Sequence, residues 1–166
     1  MPSEQYRILV VSDVHGRVAR MRWVLKNEPA DALFFLGDGL YDLEQAIAAN
    51  GATPAYPIYR VCGNCDVGYP DPAEGLAPFG GVLFFYTHGH HYGVKSGYER
   101  ISGYAADRGA DVALFGHTHY KALRAATEFS PALFNPGSLR DGGSYGVITV
   151  TDGNCSFGWK QVPQTW

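Results

Sequence analysis

The sequence predicts an α/β fold with a strand-rich second half, and three observations carry that prediction. Short apolar runs alternate with segments of helical spacing as far as Phe115, and from Lys121 onward only short strand-like stretches and turns follow. The runs also stop abruptly, at glycine, carboxylate or imidazole, as strands do where they leave a core. With 166 residues, 46% of them hydrophobic, the chain reads as one domain, residues 1–166, with enough apolar material for a substantial core.

In order, Tyr6 to Ser12 is a strand that ends in Asp13-Val14-His15-Gly16. Arg17 to Asn27 carries Val18, Met21, Val24 and Leu25 at helical spacing, and Glu28-Pro29 closes it. Ala32 to Leu36 is a second buried strand, stopped by Gly37-Asp38-Gly39, where the glycines let backbone or ligand approach the carboxylate. Asp42 is placed to cap a second helix, with Leu43, Ala46 and Ile47 inward and Asn50-Gly51 as its end. Pro57 to Val61 is a third strand, followed by Cys62-Gly63-Asn64-Cys65-Asp66. Glycine and proline make Val67 to Pro78 a long loop. Gly80-Gly81 turns into a strand, Val82 to Tyr86, which ends in Thr87-His88-Gly89-His90-His91. Tyr98 to Arg108 is a third helix with Ile101, Tyr104 and Ala105 inward, and Gly109 lies past its end. Val112 to Phe115 is a strand stopped by Gly116-His117-Thr118-His119. Turns at Asn135-Pro136-Gly137-Ser138, Asp141-Gly142-Gly143 and Asp152-Gly153 divide the rest into short strands, an antiparallel tail.

The formal charge is -3, from 13 basic and 16 acidic residues, and there is no basic stripe, so stable nucleic-acid binding is not expected. An anionic substrate must be attracted locally, which bound cations can do. Three cysteines, an odd number, and an N-terminus without a basic or apolar leader segment point to a reducing cytoplasm rather than a disulfide framework. No apolar run approaches the ~18 residues that a membrane helix needs.

Five strand ends deliver Asp13 and His15, Asp38, Asn64, His88 and His90, then His117 and His119. All are hard or borderline donors, and no thiolate is required. Residues i and i+2 of extended backbone point to one side, so Asp13 with His15, and His117 with His119, can reach a common region. A single histidine beside a strand is usually an ordinary core or surface residue. Here five of the six histidines fall in two clusters and the sixth follows Asp13, which favours a metal centre. Cys62-Gly63-Asn64-Cys65 has redox spacing, but the glycine- and proline-rich segment behind it cannot supply the helix that chemistry needs. A structural zinc site fails on the number of cysteines.

These blocks, in this order and spacing, resemble the calcineurin-like metallophosphoesterase superfamily, and Asn135-Pro136-Gly137-Ser138 is similar to a further block of its small single-domain branch. The resemblance covers about Arg7 to Ser138. It implies two mixed sheets packed face to face with helices outside, and a metal-dependent phosphodiesterase in which a hydroxide bridging two divalent metals attacks phosphorus. Carried over by position, Asp13, His15 and His119 would hold one metal, Asn64, His88 and His117 the other, and Asp38 would bridge them. The donors suit Mn²⁺ first, with Fe²⁺, Zn²⁺, Ni²⁺ or Co²⁺ as alternatives. Asn64, Cys65 and His90 are the expected catalytic groups. Cys65 departs from the family's usual histidine, which protonates the leaving group; a subset of the small bacterial and archaeal phosphodiesterases shares the cysteine. His90 could supply a proton or contact the phosphate, and His91 reads as a surface residue.

The resemblance extends to the metallophosphoesterase-like subunit of the retromer coat, so a protein-binding scaffold on this fold is the alternative, together with a phosphomonoesterase or protein phosphatase. Seven filled ligand positions favour the enzyme. Few cations stand near the motif loops, namely Arg17, Lys95 and Arg140, which favours singly charged diesters over dianionic monoesters. No capping domain is expected, so the phosphate-ester site is open and modestly selective, and a homodimer is compatible with the sequence.

Overall fold

The computed structural model describes residues 3–166. Its elements run β1 (Gln5–Val11), α1 (Val18–Asn27), β2 (Ala32–Phe35), α2 (Leu40–Asn50) and β3 (Ile58–Arg60), then β4 (Glu74–Phe79) and β5 (Val82–Thr87). A 3₁₀ turn (His90–Tyr92) leads to α3 (Glu99–Asp107), β6 (Val112–Leu114), β7 (Lys121–Arg124), β8 (Ala132–Pro136), β9 (Ser144–Thr151) and β10 (Asn154–Gln161). They form two five-stranded sheets, in the orders β10-β9-β1-β2-β3 and β4-β5-β6-β8-β7. Both are mixed. β1, β2 and β3 run parallel in the first sheet, as do β5, β6 and β8 in the second, and the remaining pairs are antiparallel.

The strand periodicity explains why the central runs are apolar throughout. In β1, Ile8 and Val10 enter the core between the sheets, while Leu9 and Val11 face α1 and α2. β2 repeats this, with Ala32 and Phe34 inward and Leu33 and Phe35 under the helices. β6 does the same in the second sheet, with Val112 and Leu114 inward and Ala113 packed beneath α3. Phe34 meets Phe84 across the sandwich with ring centroids 5.0 Å apart. The order of layers is therefore helices, sheet, sheet, helix, the architecture that the sequence implied.

Three expectations are corrected. The segment 67–78 is not all loop, because its last residues begin β4, whose Pro78 is tolerated on the outermost strand of its sheet. The tail is not wholly antiparallel, since β8 joins β6 in parallel. Asp42 does not cap α2, which begins at Leu40 behind Gly39. Its carboxylate instead accepts the backbone N–H of Gly16 at 2.8 Å. The Gly80-Gly81 turn leads into β5 as expected, and it joins that strand to β4, with Phe79 opposite Val82. Among the described residues, no helix is long and apolar enough to cross a membrane.

One buried carboxylate ties the first sheet to its helical layer. Glu28, just past α1, accepts hydrogen bonds from Arg7 on β1 and from Lys160 on β10, the latter at 3.2 Å. Burial pushes the Glu28 carboxyl up, but Arg7 and Lys160 more than reverse this, so its pKa lies below the ordinary value of 4.5. A depressed folded-state pKa adds stability that is complete above the unfolded value and fades as pH falls through the folded one. Glu28→Gln is therefore expected to cost about 2 kcal/mol at pH 7 and progressively less below the ordinary carboxylate range. Urea midpoints of both proteins at neutral and acid pH check this, and a cost independent of pH would show that the charge is not responsible.

Candidate metal centre

The parallel strands of both sheets deliver their C-terminal ends to one edge, and the backbone knits the two edges together. His117 N–H donates to Asp13 Oδ2 at 3.0 Å and Leu139 N–H to the Ser12 carbonyl. Asp13, His15, Asp38, His117 and His119 all lie just past strands with φ between 43° and 70°. That left-handed region is sparsely populated by residues with a Cβ, and clusters of such residues mark functional sites. Asp152, at the β9–β10 turn, is the only other non-glycine residue with positive φ among the described residues.

Close packing at the strand ends demands glycine at two points. A Cβ on Gly63 would fall 2.1 Å from Asp38 Oδ1, and one on Gly116 would fall 2.0 Å from Ser12 Oγ. Both positions bring backbone directly against the acidic side chains.

The donors form two neighbouring groups: Asp13, His15 and His119, and Asp38, His88 and His117, each with its ligand atoms within 4.8 Å of one another. Asp13 Oδ1 lies 3.4 Å from His15 Nε2 and 3.2 Å from His119 Nε2. Asp38 Oδ2 lies 3.2 Å from His88 Nε2 and 3.6 Å from His15 Nε2, so this carboxylate faces both groups. His117 Nδ1 is 3.2 Å from His88 Nε2. Asp13 Oδ1 and His15 Nε2 are buried without a hydrogen-bond partner, a costly arrangement that a divalent cation would relieve. The nitrogen and oxygen donor set suits a borderline or hard divalent ion. The residues present fit a metal.

Outer partners orient the imidazoles. His88 Nδ1 donates to the Leu36 carbonyl at 2.7 Å, which turns its Nε2 toward Asp38. His119 Nδ1 meets Asp141 Oδ2 at 2.6 Å, which leaves its Nε2 for Asp13. Burial opposes a charge on fully buried His88, but Asp38 and Asp13 outweigh it and raise its pKa. Asp38, in turn, is pushed up by burial and pulled further down by His88, so it stays well below the usual carboxylate range. His117 is shifted down by burial, by His88 and by Lys95. His90 is held down at about 4 by burial and by His91, His88 and His117.

The other expected residues stand around these two groups. Asn64 is exposed; its amide donates to Cys65 Sγ at 3.5 Å and makes no hydrogen bond to the imidazoles. Cys65 is exposed, groups with His15 and Asp38, and donates its backbone N–H to Asp38 Oδ1 at 2.8 Å. Burial and the Asp38 carboxylate raise its thiol pKa. The His90 ring stands 5.4 Å from that of His88, and His91 is exposed. Arg17, Lys95 and Arg140 are all exposed.

Three supporting residues had no assigned role in the sequence. Asp66 is buried and takes four backbone N–H groups: those of Asp38 (2.7 Å) and Gly63 (2.8 Å) on Oδ2, and those of Gly39 (2.9 Å) and Leu40 (3.0 Å) on Oδ1. Asn135, fully buried, donates to the Gly116 carbonyl and to Thr118 Oγ1, which fixes the His117–His119 loop. Asp141 had read only as a turn residue. The signal for Asp66 was its place in the Gly63-Asn64-Cys65-Asp66 block, and for Asn135 its place in Asn-Pro-Gly-Ser.

Comparison with known proteins gives the family and the fold. Residues 6–153 match the profile of the calcineurin-like phosphoesterase superfamily domain. A Bacillus subtilis (strain 168) protein, "Probable metallophosphoesterase YsnB", is 28% identical over 146 residues, 86% of this chain and 83% of that one. The crystal structure of a predicted phosphoesterase from Streptococcus pneumoniae superposes with a TM-score of 0.76 at 22% identity, covering 97% and 95% of the two chains. Vacuolar Protein Sorting 29 from Cryptosporidium parvum superposes with a TM-score of 0.70 at 14% identity, covering 94% and 97%.

The Asp66 clamp yields a sharp expectation. Asparagine is isosteric, yet its NH₂ group would face two backbone N–H donors that now share one oxygen. Asp66→Asn should therefore cost about 2–4 kcal/mol, the loss expected when buried donors go unpaired. Urea unfolding measures it, and a cost within the ~0.5 kcal/mol of an ordinary surface change would mean that the clamp is dispensable.

Proposed function

The chain belongs to the calcineurin-like phosphoesterase superfamily, and from that premise we propose that it is a metal-dependent phosphodiesterase with a dinuclear centre. The observation that carries this reading is the pair of facing donor groups around Asp13 Oδ1, a buried oxygen without a hydrogen-bond partner. Asp13, His15 and His119 would hold one divalent ion, His88, His117 and Asn64 the other, and Asp38, which faces both groups, would serve both. Such ions, Mn²⁺ being our choice, supply Lewis acidity that lowers the pKa of water and offsets phosphate charge.

The chain's own residues do the rest. Leu36 and Asp141 fix the orientation of His88 and His119 through their outer ring nitrogens, so the inner nitrogens need no reorganisation. The four bonds to Asp66 hold the Asp38 turn rigid. Asn64, Cys65 and His90 border the donors and are the groups we assign to contact the ester oxygens. Few fixed cations surround the site: Arg17 and Lys95 are exposed, and Arg140 lies 3.8 Å from Asp141. That scarcity supports a singly charged diester over a dianionic monoester. Three free cysteines suit a reducing cytoplasm.

Metal-stripped protein resupplied with Mn²⁺ is expected to hydrolyse bis-p-nitrophenyl phosphate faster than p-nitrophenyl phosphate. Asp38→Ala should lower that rate by more than ~100-fold, since losing a ligand exceeds losing a residue that only orients one. No turnover of either ester by folded, metal-binding protein would favour a protein-docking role for this fold instead. Asp141→Ala should weaken Mn²⁺ binding by ~10–100-fold in titration calorimetry, and unchanged affinity would remove Asp141 from the site.

A further inference from the structure

Beside the donor cluster lies a cavity of about 450 Å³ lined by Val94, Lys95, Tyr98, Thr118 and Tyr120. Its walls are rooted in the two histidine loops. Thr118 sits between His117 and His119, and its hydroxyl is fixed by Asn135 Nδ2 at 3.0 Å and by the Tyr120 N–H at 3.1 Å. Val94 packs on Gly89, between His88 and His90, so closely that a Cβ there would meet it at 3.0 Å. Tyr98 is anchored on Phe115 with ring centroids 5.0 Å apart.

One exposed tyrosine on a protein surface needs no explanation. Here, however, Tyr120 is 78% exposed on a tethered backbone and lines a cavity together with a second tyrosine and an ammonium group. No carboxylate lines the space, although the chain carries a net charge of -3. Two phenol faces and one cation are the chemistry that receives a flat aromatic ring bearing an acceptor atom.

We propose that this cavity is the subsite for an aromatic ring carried by the phosphate ester, with Tyr98 and Tyr120 offering ring faces and Lys95 an ammonium to a polar ring substituent. The proposal deepens the phosphoesterase reading and rests on it for the position of the phosphate. It sets a modest preference, because the cavity is open and Tyr120 is mostly exposed.

Titration calorimetry of the Mn²⁺-loaded protein with phenylphosphonate and methylphosphonate tests it without turnover. Phenylphosphonate should bind ~10-fold more tightly, the worth of one good ring stack. Tyr120→Ala should remove most of that ratio, Tyr120→Phe should keep it, and Lys95→Met should diminish the affinity for adenosine 5′-monophosphate. A Tyr120-dependent gain for adenosine 5′-monophosphate over methylphosphonate supports the proposal with a nucleobase as the ring. A gain confined to phenylphosphonate supports it with a simple aryl group. Equal affinities for the two phosphonates, or a ratio that survives in Tyr120→Ala, overturn it. Ester hydrolysis by the same preparation separates the two readings. Hydrolysis without the ring preference sinks only the subsite, while the preference without hydrolysis sinks only the enzyme.

Discussion

A single buried carboxylate holds the centre together. Asp66 takes the backbone N–H groups of Asp38, Gly39, Leu40 and Gly63, and so does three jobs with two oxygens. It satisfies otherwise unpaired donors at the start of α2, where a negative charge is also favoured by the helix dipole. It locks the turn that aims Asp38 at the imidazoles. It also draws the loop after β3 against the end of β2, where only glycine fits at position 63. Remove the charge and all three constraints loosen together.

Around that clamp, the fold creates convergence by spending backbone strain. Three parallel strands from each sheet end at the same edge, but a strand continuing straight would carry its side chains past one another. Left-handed turns at Asp13, His15, Asp38, His117 and His119 bend the chain back over the edge instead. Cross-sheet bonds such as His117 N–H to Asp13 Oδ2 then fix the two halves in register. Aspartate tolerates this conformation better than most residues with a Cβ, so some of the cost is absorbed by the choice of residue itself.

Much of this was legible in the sequence because the central strands are buried on both faces. Ile8 to Val11 and Ala32 to Phe35 read as continuous apolar runs, and the residue that interrupts such a run marks the edge. The edge strand β4 was not legible, because Pro78 and a glycine hide its period and its outermost place asks less of the pattern. The start of α2 was misassigned for a different reason. Its donors are met by Asp66, 26 residues beyond Leu40, and local capping rules cannot see a partner that distant. Asp141 escaped likewise, since its bond to His119 spans a 22-residue gap in the chain.

The distribution of strain also bears on whether the fold serves chemistry or docking. We read five left-handed residues, an unpartnered Asp13 oxygen and imidazoles packed within 3.2–3.9 Å of carboxylates as favouring chemistry. The left-handed residues and the unpartnered oxygen each cost stability, while the imidazole–carboxylate contacts offset part of that cost, since Asp38 and Asp13 raise the His88 pKa and His88 lowers that of Asp38. A divalent cation among these donors, as we propose, would satisfy the oxygen and accept the inner ring nitrogens. The strained turns and the buried unpartnered oxygen are thus the features that the proposed metal-holding role of this edge accounts for.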